Sequence, residues 1–182
     1  MDITNMLFAR GMRMNREPIK ALADIICNQM GINQDRVFLL NDNRQIPNDS
    51  ELYVTLDIIM QAPFGADVKY KETTLNNQQV YQEVQSMAIK QTIVVSLVSK
   101  NSDARLRAYE VQMAMNSTYS EQSQETNGFH IASISPIHNR SFLEASSRLN
   151  RFDTEIAVIT GIEKTQNVGY YDTFEHTEMF EG

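Results

Sequence analysis

The chain has 182 residues, 42% hydrophobic and 21% charged, with 7 glycines, 4 prolines and a formal net charge of −7. That length accommodates one domain with a real core, and the composition excludes a disordered, collagenous or linker-like chain. A single cysteine, Cys27, excludes a disulfide framework or multi-cysteine metal site, and the acidic balance argues against a general nucleic-acid binder.

No apolar run approaches the ~18 residues of a membrane-spanning helix, and MDITNMLFARGMRMNR at the amino terminus does not read as a secretory leader. Residues 1–14 read as an arm, 15–169 as a single α+β domain, and 170–182 as an acidic tail. Pro18 favours a helix's first turn, and Ile19, Leu22, Ala23, Ile26 and Met30 then recur at helical spacing up to Gly31. A helix is therefore predicted over 17–30, with Cys27 on its flank. Residues 36–40 read as a short strand, and 41–50 (NDNRQIPNDS) as a loop.

In 52–59, Leu52, Val54, Leu56 and Ile58 alternate with Tyr53, Thr55, Asp57 and Ile59, the pattern of a strand. Ala62-Pro63-Phe64-Gly65 reads as a turn into a polar stretch around 67–74. Residues 78–88 alternate, and the β-branched run 92–98 suits a central strand covered on both faces. A hairpin about Ile89-Lys90-Gln91 would join these two, with a helix over 79–88 as the competing reading. Ser102-Asp103 signals a helix start, and the helix runs to about Met115, restarts at Ser117 and stops at Asn127-Gly128. A short strand over 129–134 ends before Pro136. A long one follows over 148–165, with Gly161 a candidate bulge. The pattern predicts a mixed, mainly antiparallel sheet packed on one face by two helices.

Recognisable catalytic spacing is lacking: there is no phosphate loop, dinucleotide fingerprint, nucleophile elbow or H-E-x-x-H. His130 and His138 stand eight residues apart across Pro136, outside usual ligand spacings, and His176 lies among the tail glutamates. Asp153 and Glu155 share one side of the last strand, where a solvated face is the expectation. A small intracellular enzyme or ligand-binding domain would need a pocket uniting residues such as His130, His138 and Asp153. These absences favour a structural protein without catalytic residues, cofactor or metal.

Charge is unevenly placed. Residues 1–20 carry four basic and two acidic groups, whereas 171–182 carry four acidic groups and no basic one. Opposite charges on separate arms suit head-to-tail contacts between copies. The expected inter-subunit contacts are Arg10, Arg13 and Arg16 against Glu175, Glu178 and Glu181.

The order of features resembles the tail-terminator, or tail-completion, proteins of tailed bacteriophages, in particular their neck-terminator branch. The resemblance rests on the amino-terminal helix, Ile46-Pro47 in the following loop, and Leu52-Tyr53-Val54-Thr55-Leu56. Gly65, Tyr70, the strand block 78–98, Ser102-Asp103-Ala104 and Arg151 before the strand Phe152–Thr160 complete it. It covers about 150 residues and includes no single specific motif; the Met-rich start and acidic end lie outside it.

The resemblance implies a virion protein, assembled in the host cytoplasm, that forms a ring, usually of six copies, at the capsid-proximal end of the tail tube. Such a ring ends tube polymerisation and joins the tail to the head. Its partners would be further copies, the tube protein, a connector or neck protein and, where the tail has one, the sheath. DNA would pass through without specific binding. Loops 41–50, 62–76 and 136–145 are the expected tube or connector contacts. Another head–tail joining or sheath-associated neck protein is the nearest alternative.

Overall fold

The computed structural model describes residues 12–14, 17–40, 48–75, 78–144 and 147–168. Three long strands dominate it: β3 (Tyr53–Leu75), β4 (Gln78–Ser99) and β8 (Ser147–Val168). Each is several times the usual five or six residues and spans about 70 Å. They lie side by side, antiparallel, with β4 in the centre. Short strands border them. β2 (Val37–Leu39) runs parallel to the foot of β3, opposite Val54–Leu56. β1 (Met12–Met14), β5 (Phe129–Ile134), β6 (His138–Asn139) and β7 (Phe142–Glu144) all pair antiparallel with β8.

Helices α1 (Pro18–Met30), α2 (Asp103–Met115) and α3 (Thr118–Asn127) pack together and onto the lower sheet. The second helical region expected from the sequence is thus two helices, broken at Asn116-Ser117. The shared core joins Leu22, Ile25 and Ile26 of α1 to Val54, Leu56, Ile93, Val95, Leu97, Ile156 and Val158 of the sheet. These sheet residues occupy one face, as period-two alternation requires. Burying side chains of this size is worth about 1.5–3 kcal/mol each.

Local sequence explains the helix ends. Gly31, at φ 62, closes α1 in the left-handed conformation that glycine adopts without a Cβ penalty. The Met30 carbonyl accepts from Arg107 Nη2 of α2 at 2.5 Å. Ser117 Oγ accepts from Ser120 N–H and caps α3, and Gly128 ends it at φ 67. Ser102 makes no side-chain cap to α2. Asn101 Oδ1 instead accepts from Asp103 N–H at 2.9 Å, and Ser99 Oγ from Ala104 N–H at 3.0 Å.

The long strands correct three expectations. First, β3 runs straight through Ala62-Pro63-Phe64-Gly65 with register shifts at 58/60 and 63/65. Proline is tolerated there because, among the described residues, β3 is an edge strand beyond Leu56, and Pro63 adjoins a bulge. Second, β4 is one strand from 78 to 99, so there is neither a hairpin at 89–91 nor a helix over 79–88. Both flanks are paired through that region, to β3 and β8, and the ladder overrides the local ambiguity. Third, Gly161 is in regular register with Ala88, and the irregularity lies across the sheet on β3, before Gly65.

Candidate assembly surfaces

The helices cover only the lower half of the sheet. No residue is buried on β3 from Asp57 to Thr74, on β4 from Val80 to Lys90, or on β8 from Gly161 to Val168. These segments form a three-stranded extension. Register places Val68, Gln85 and Lys164 in one row and Tyr70, Glu83 and Gln166 in another, both on the face that carries the core lower down. Phe64 (60%), Tyr70 (69%), Val68 (50%) and Met87 (42%) are exposed. Tyr81 donates to Glu72 at 2.7 Å, and Gln82 to Asn167 at 3.1 Å. Among the described residues, no strand pairs with the outer edge of β3 beyond Leu56. A long edge of this kind is a template for another chain.

The opposite, helix-free face of the lower sheet is polar and internally satisfied. Asp153 is 6% exposed, contrary to the expected solvated face. It accepts from Arg151 Nε at 2.9 Å and pairs with Arg140 Nε at 3.4 Å, while Arg151 Nη2 donates to Ser96 Oγ at 3.1 Å. The chain between β5 and β6 runs along the edge of β8. Ser135 Oγ accepts from Glu155 N–H at 2.8 Å, and Ser135 O accepts from Gln112 Nε2 at 2.9 Å and Thr154 Oγ1 at 3.0 Å.

His138 lies opposite Asp153 and lines the same cavity of about 330 Å³, whose polar groups include Thr55, Asp57, Arg140 and Arg151. His130 lines a separate depression with Glu121, Gln124 and Glu125. The structure therefore does not bring His130, His138 and Asp153 into one pocket. Among the described residues, no three His, Cys, Asp or Glu side chains stand where they would hold a metal ion. Cys27 packs half-buried against the core, and burial, followed by nearby Asp24, raises its thiol pKa, which is the reverse of activation. Among the described residues, no helix is long and apolar enough to cross a membrane.

Of the residues expected between subunits, Arg13 lies in β1, opposite Glu163 of β8. Arg10, Arg16, Glu175, Glu178 and Glu181 lie outside the described residues, as does His176. Of the expected contact loops, residues 62–75 are strand rather than loop, and 41–47 lie outside the described residues. After that segment, Arg36 clips the chain down through Asp49 Oδ1 at 2.8 Å and Glu51 Oε2 at 2.6 Å. The hydrogen bond from Arg36 is the main cause that lowers the Asp49 pKa.

Sequence reading missed two features: the outer stripe of α2, formed by Leu106, Tyr109 and Met113, and a groove around Gln91. The stripe's 3–4 spacing was legible, but α2 is apolar on both sides, so periodicity alone did not separate core from surface.

Fold and surfaces together define an α+β protein with exposed apolar side chains and, among the described residues, an unpaired edge on β3 beyond Leu56. The family model described as phage neck terminator protein matches residues 18–177, and the chain belongs to that family. This makes it a structural protein of the bacteriophage neck. No curated protein matches the chain.

Proposed function

We propose that this chain is a ring-forming subunit, in six copies, at the capsid-proximal end of the tail tube. There it ends tube growth and joins the tail to the head connector. The observation that carries this reading is the three-stranded extension, which among the described residues has no buried side chain and one long unpaired edge. A monomer gains nothing from so long a sheet beyond its helices, whereas neighbouring copies would cover both its edge and the exposed Phe64, Val68, Tyr70 and Met87. A heterologous contact whose rotation closes gives a ring, and a ring that matches the tube on one face only ends the stack.

In this reading the protein is a structural part rather than an enzyme. The arms pair between copies, Arg10, Arg13 and Arg16 against Glu175, Glu178 and Glu181. The net charge of −7 lets DNA pass without being held. The remaining partners are the tube protein, the connector or neck protein and, in a contractile tail, the sheath.

Mass photometry and negative-stain imaging of the purified protein, alone and with tail tubes, test the reading. Rings in solution or on one end of each tube are expected. A chain that stays monomeric and leaves tubes bare overturns it.

A further inference from the structure

The extension ends in two different edges. Its outer rows run through four strands. Met14, Ile162, Met87 and Ala66 form one row, Arg13, Glu163, Ser86 and Asp67 the next, and Met12, Lys164, Gln85 and Val68 the third. β1 is therefore one end of these rows, and residues 66–68 of β3 are the other. Among the described residues, β1 pairs with β8 alone and 66–68 with β4 alone, so both ends turn backbone donors and acceptors outward. The outer edge of β8 is not open in the same way, because β1, β5, β6 and β7 line it.

Direction and charge fit these two ends to each other. β3, β4, β8 and β1 alternate in direction. A rotation about an axis along the strands therefore brings β1 of one copy beside β3 of the next as an antiparallel pair. Arg13 and Asp67 end the same row with opposite charges. On the same face of β3 as Asp67 stand Gly65, two positions below, and Lys69 and Lys71, two and four above. Opposite charges directly across a strand pair stabilise it and like charges destabilise it, so a slip upward by two or four residues sets Arg13 against a lysine. A slip by one moves every side chain to the other face. Asp67 already has Lys69 Nζ at 3.1 Å, but its side chain is 56% exposed and such a surface pair is weak, which leaves it open to a second cation.

We propose that β1 of one copy adds to the β3 edge of the next as an antiparallel strand, with Met12 opposite Val68, Arg13 opposite Asp67 and Met14 opposite Ala66. Because the two edges differ, each copy uses one on either side, and the contact runs head to tail. This inference rests on the ring reading above and changes one pairing in it: Arg13 meets Asp67, and the tail glutamates are left to Arg10 and Arg16.

Disulfide formation tests the register in the full chain carrying Cys27→Ala. With Met14→Cys and Ala66→Cys together, mild oxidation is expected to give a ladder of covalent oligomers that stops at the ring size. Within one copy these positions are three strand spacings, about 14 Å, apart and cannot bridge. Met14→Cys with Val68→Cys, two residues out of register and about 8 Å between Cα atoms across the contact, is expected to give no ladder. Asp67→Lys, at an exposed position, is expected to lower ring yield several-fold at low salt and less at high salt, with an unchanged circular dichroism spectrum. Asp67→Asn should give a smaller loss.

Rings that persist without a cross-link between positions 14 and 66, or that are indifferent to Asp67→Lys, overturn the β1 contact while the ring reading stands. A ladder from positions 14 and 68 overturns it as well, by setting another register. Loss of tube binding with rings intact in Asp67→Lys also overturns it, by assigning the β3 edge to the tube protein. If the unmodified chain forms no ring in solution or on tubes, the ring reading falls and this inference with it.

Discussion

Arg151 and Asp153, two residues apart on one face of β8, form an ion pair at 2.9 Å that Ser96 on the neighbouring strand completes through Arg151 Nη2. The two charged side chains differ in burial, with Asp153 8% and Arg151 40% exposed. The carboxylate has left water and depends on its partners, whereas the guanidinium has not.

Removing the buried member is therefore unequal to removing an exposed one. Asp153→Ala should cost about 2–3 kcal/mol, by loss of charge-assisted hydrogen bonds at a buried site and stranding of the Ser96–Arg151 pair. Arg140→Ala, on the solvent side, should cost under ~1 kcal/mol. Urea unfolding of the two variants, with slopes compared, checks both numbers.

The core and the extension should separate in the same experiment. Ile93→Ala, at a fully buried position in the shared core, should cost about 2–5 kcal/mol. Val68→Thr on the half-exposed extension should stay within ~0.5 kcal/mol. An equal loss at both positions would mean that the extension is buried within a single copy.

Helix starts offer a sharper local test. Ser117→Ala should destabilise by about 1 kcal/mol, because its hydroxyl caps Ser120 N–H. Ser102→Ala should be nearly neutral, despite its position before Asp103, because Asn101 and Ser99 satisfy the α2 start. Thermal melts of Ser102→Ala, Asn101→Ala and Ser117→Ala should rank in that order, the first least affected.

The Asp49 pKa is lowered in the folded chain, chiefly by its hydrogen bond from Arg36. Its stabilisation is present above the ordinary carboxylate pKa and is lost as pH falls through the lowered folded value. The pair is exposed, so the effect is local and weak on global stability. Protection factors of the amides in 48–52, referred to the intrinsic exchange rate at each pH, should fall as pH drops through the lowered Asp49 value in the native chain, and should already be low at neutral pH in Asp49→Asn.

Cys27, with its thiol pKa raised by burial, should react with iodoacetamide more slowly in the folded chain than in denaturant at pH 8. Equal rates would place the thiol in open solvent.

Much of this architecture was legible in the chain. Helix α1, bounded by Pro18 and Gly31, and helix α3, from Ser117 to Gly128, follow from local capping and glycine conformation. The alternation in 52–59 and 152–160 identifies the core face. Residues 60–91 were not legible in the same way. Pro63 and Gly65 look like a turn in isolation, and Ile89-Lys90-Gln91 like a hinge, until the neighbouring strands supply the hydrogen bonds that hold them extended.

Sequence by itself determined the fold class, the helix ends and the family resemblance, because those depend on periodicity and on single residues acting locally. Only the tertiary structure decided that β3, β4 and β8 run on past the helices, that Asp153 is buried, and that Leu106, Tyr109 and Met113 face outward. Each of these depends on what lies across the sheet or beneath the helix, and such neighbours are set by pairing between residues far apart in the chain.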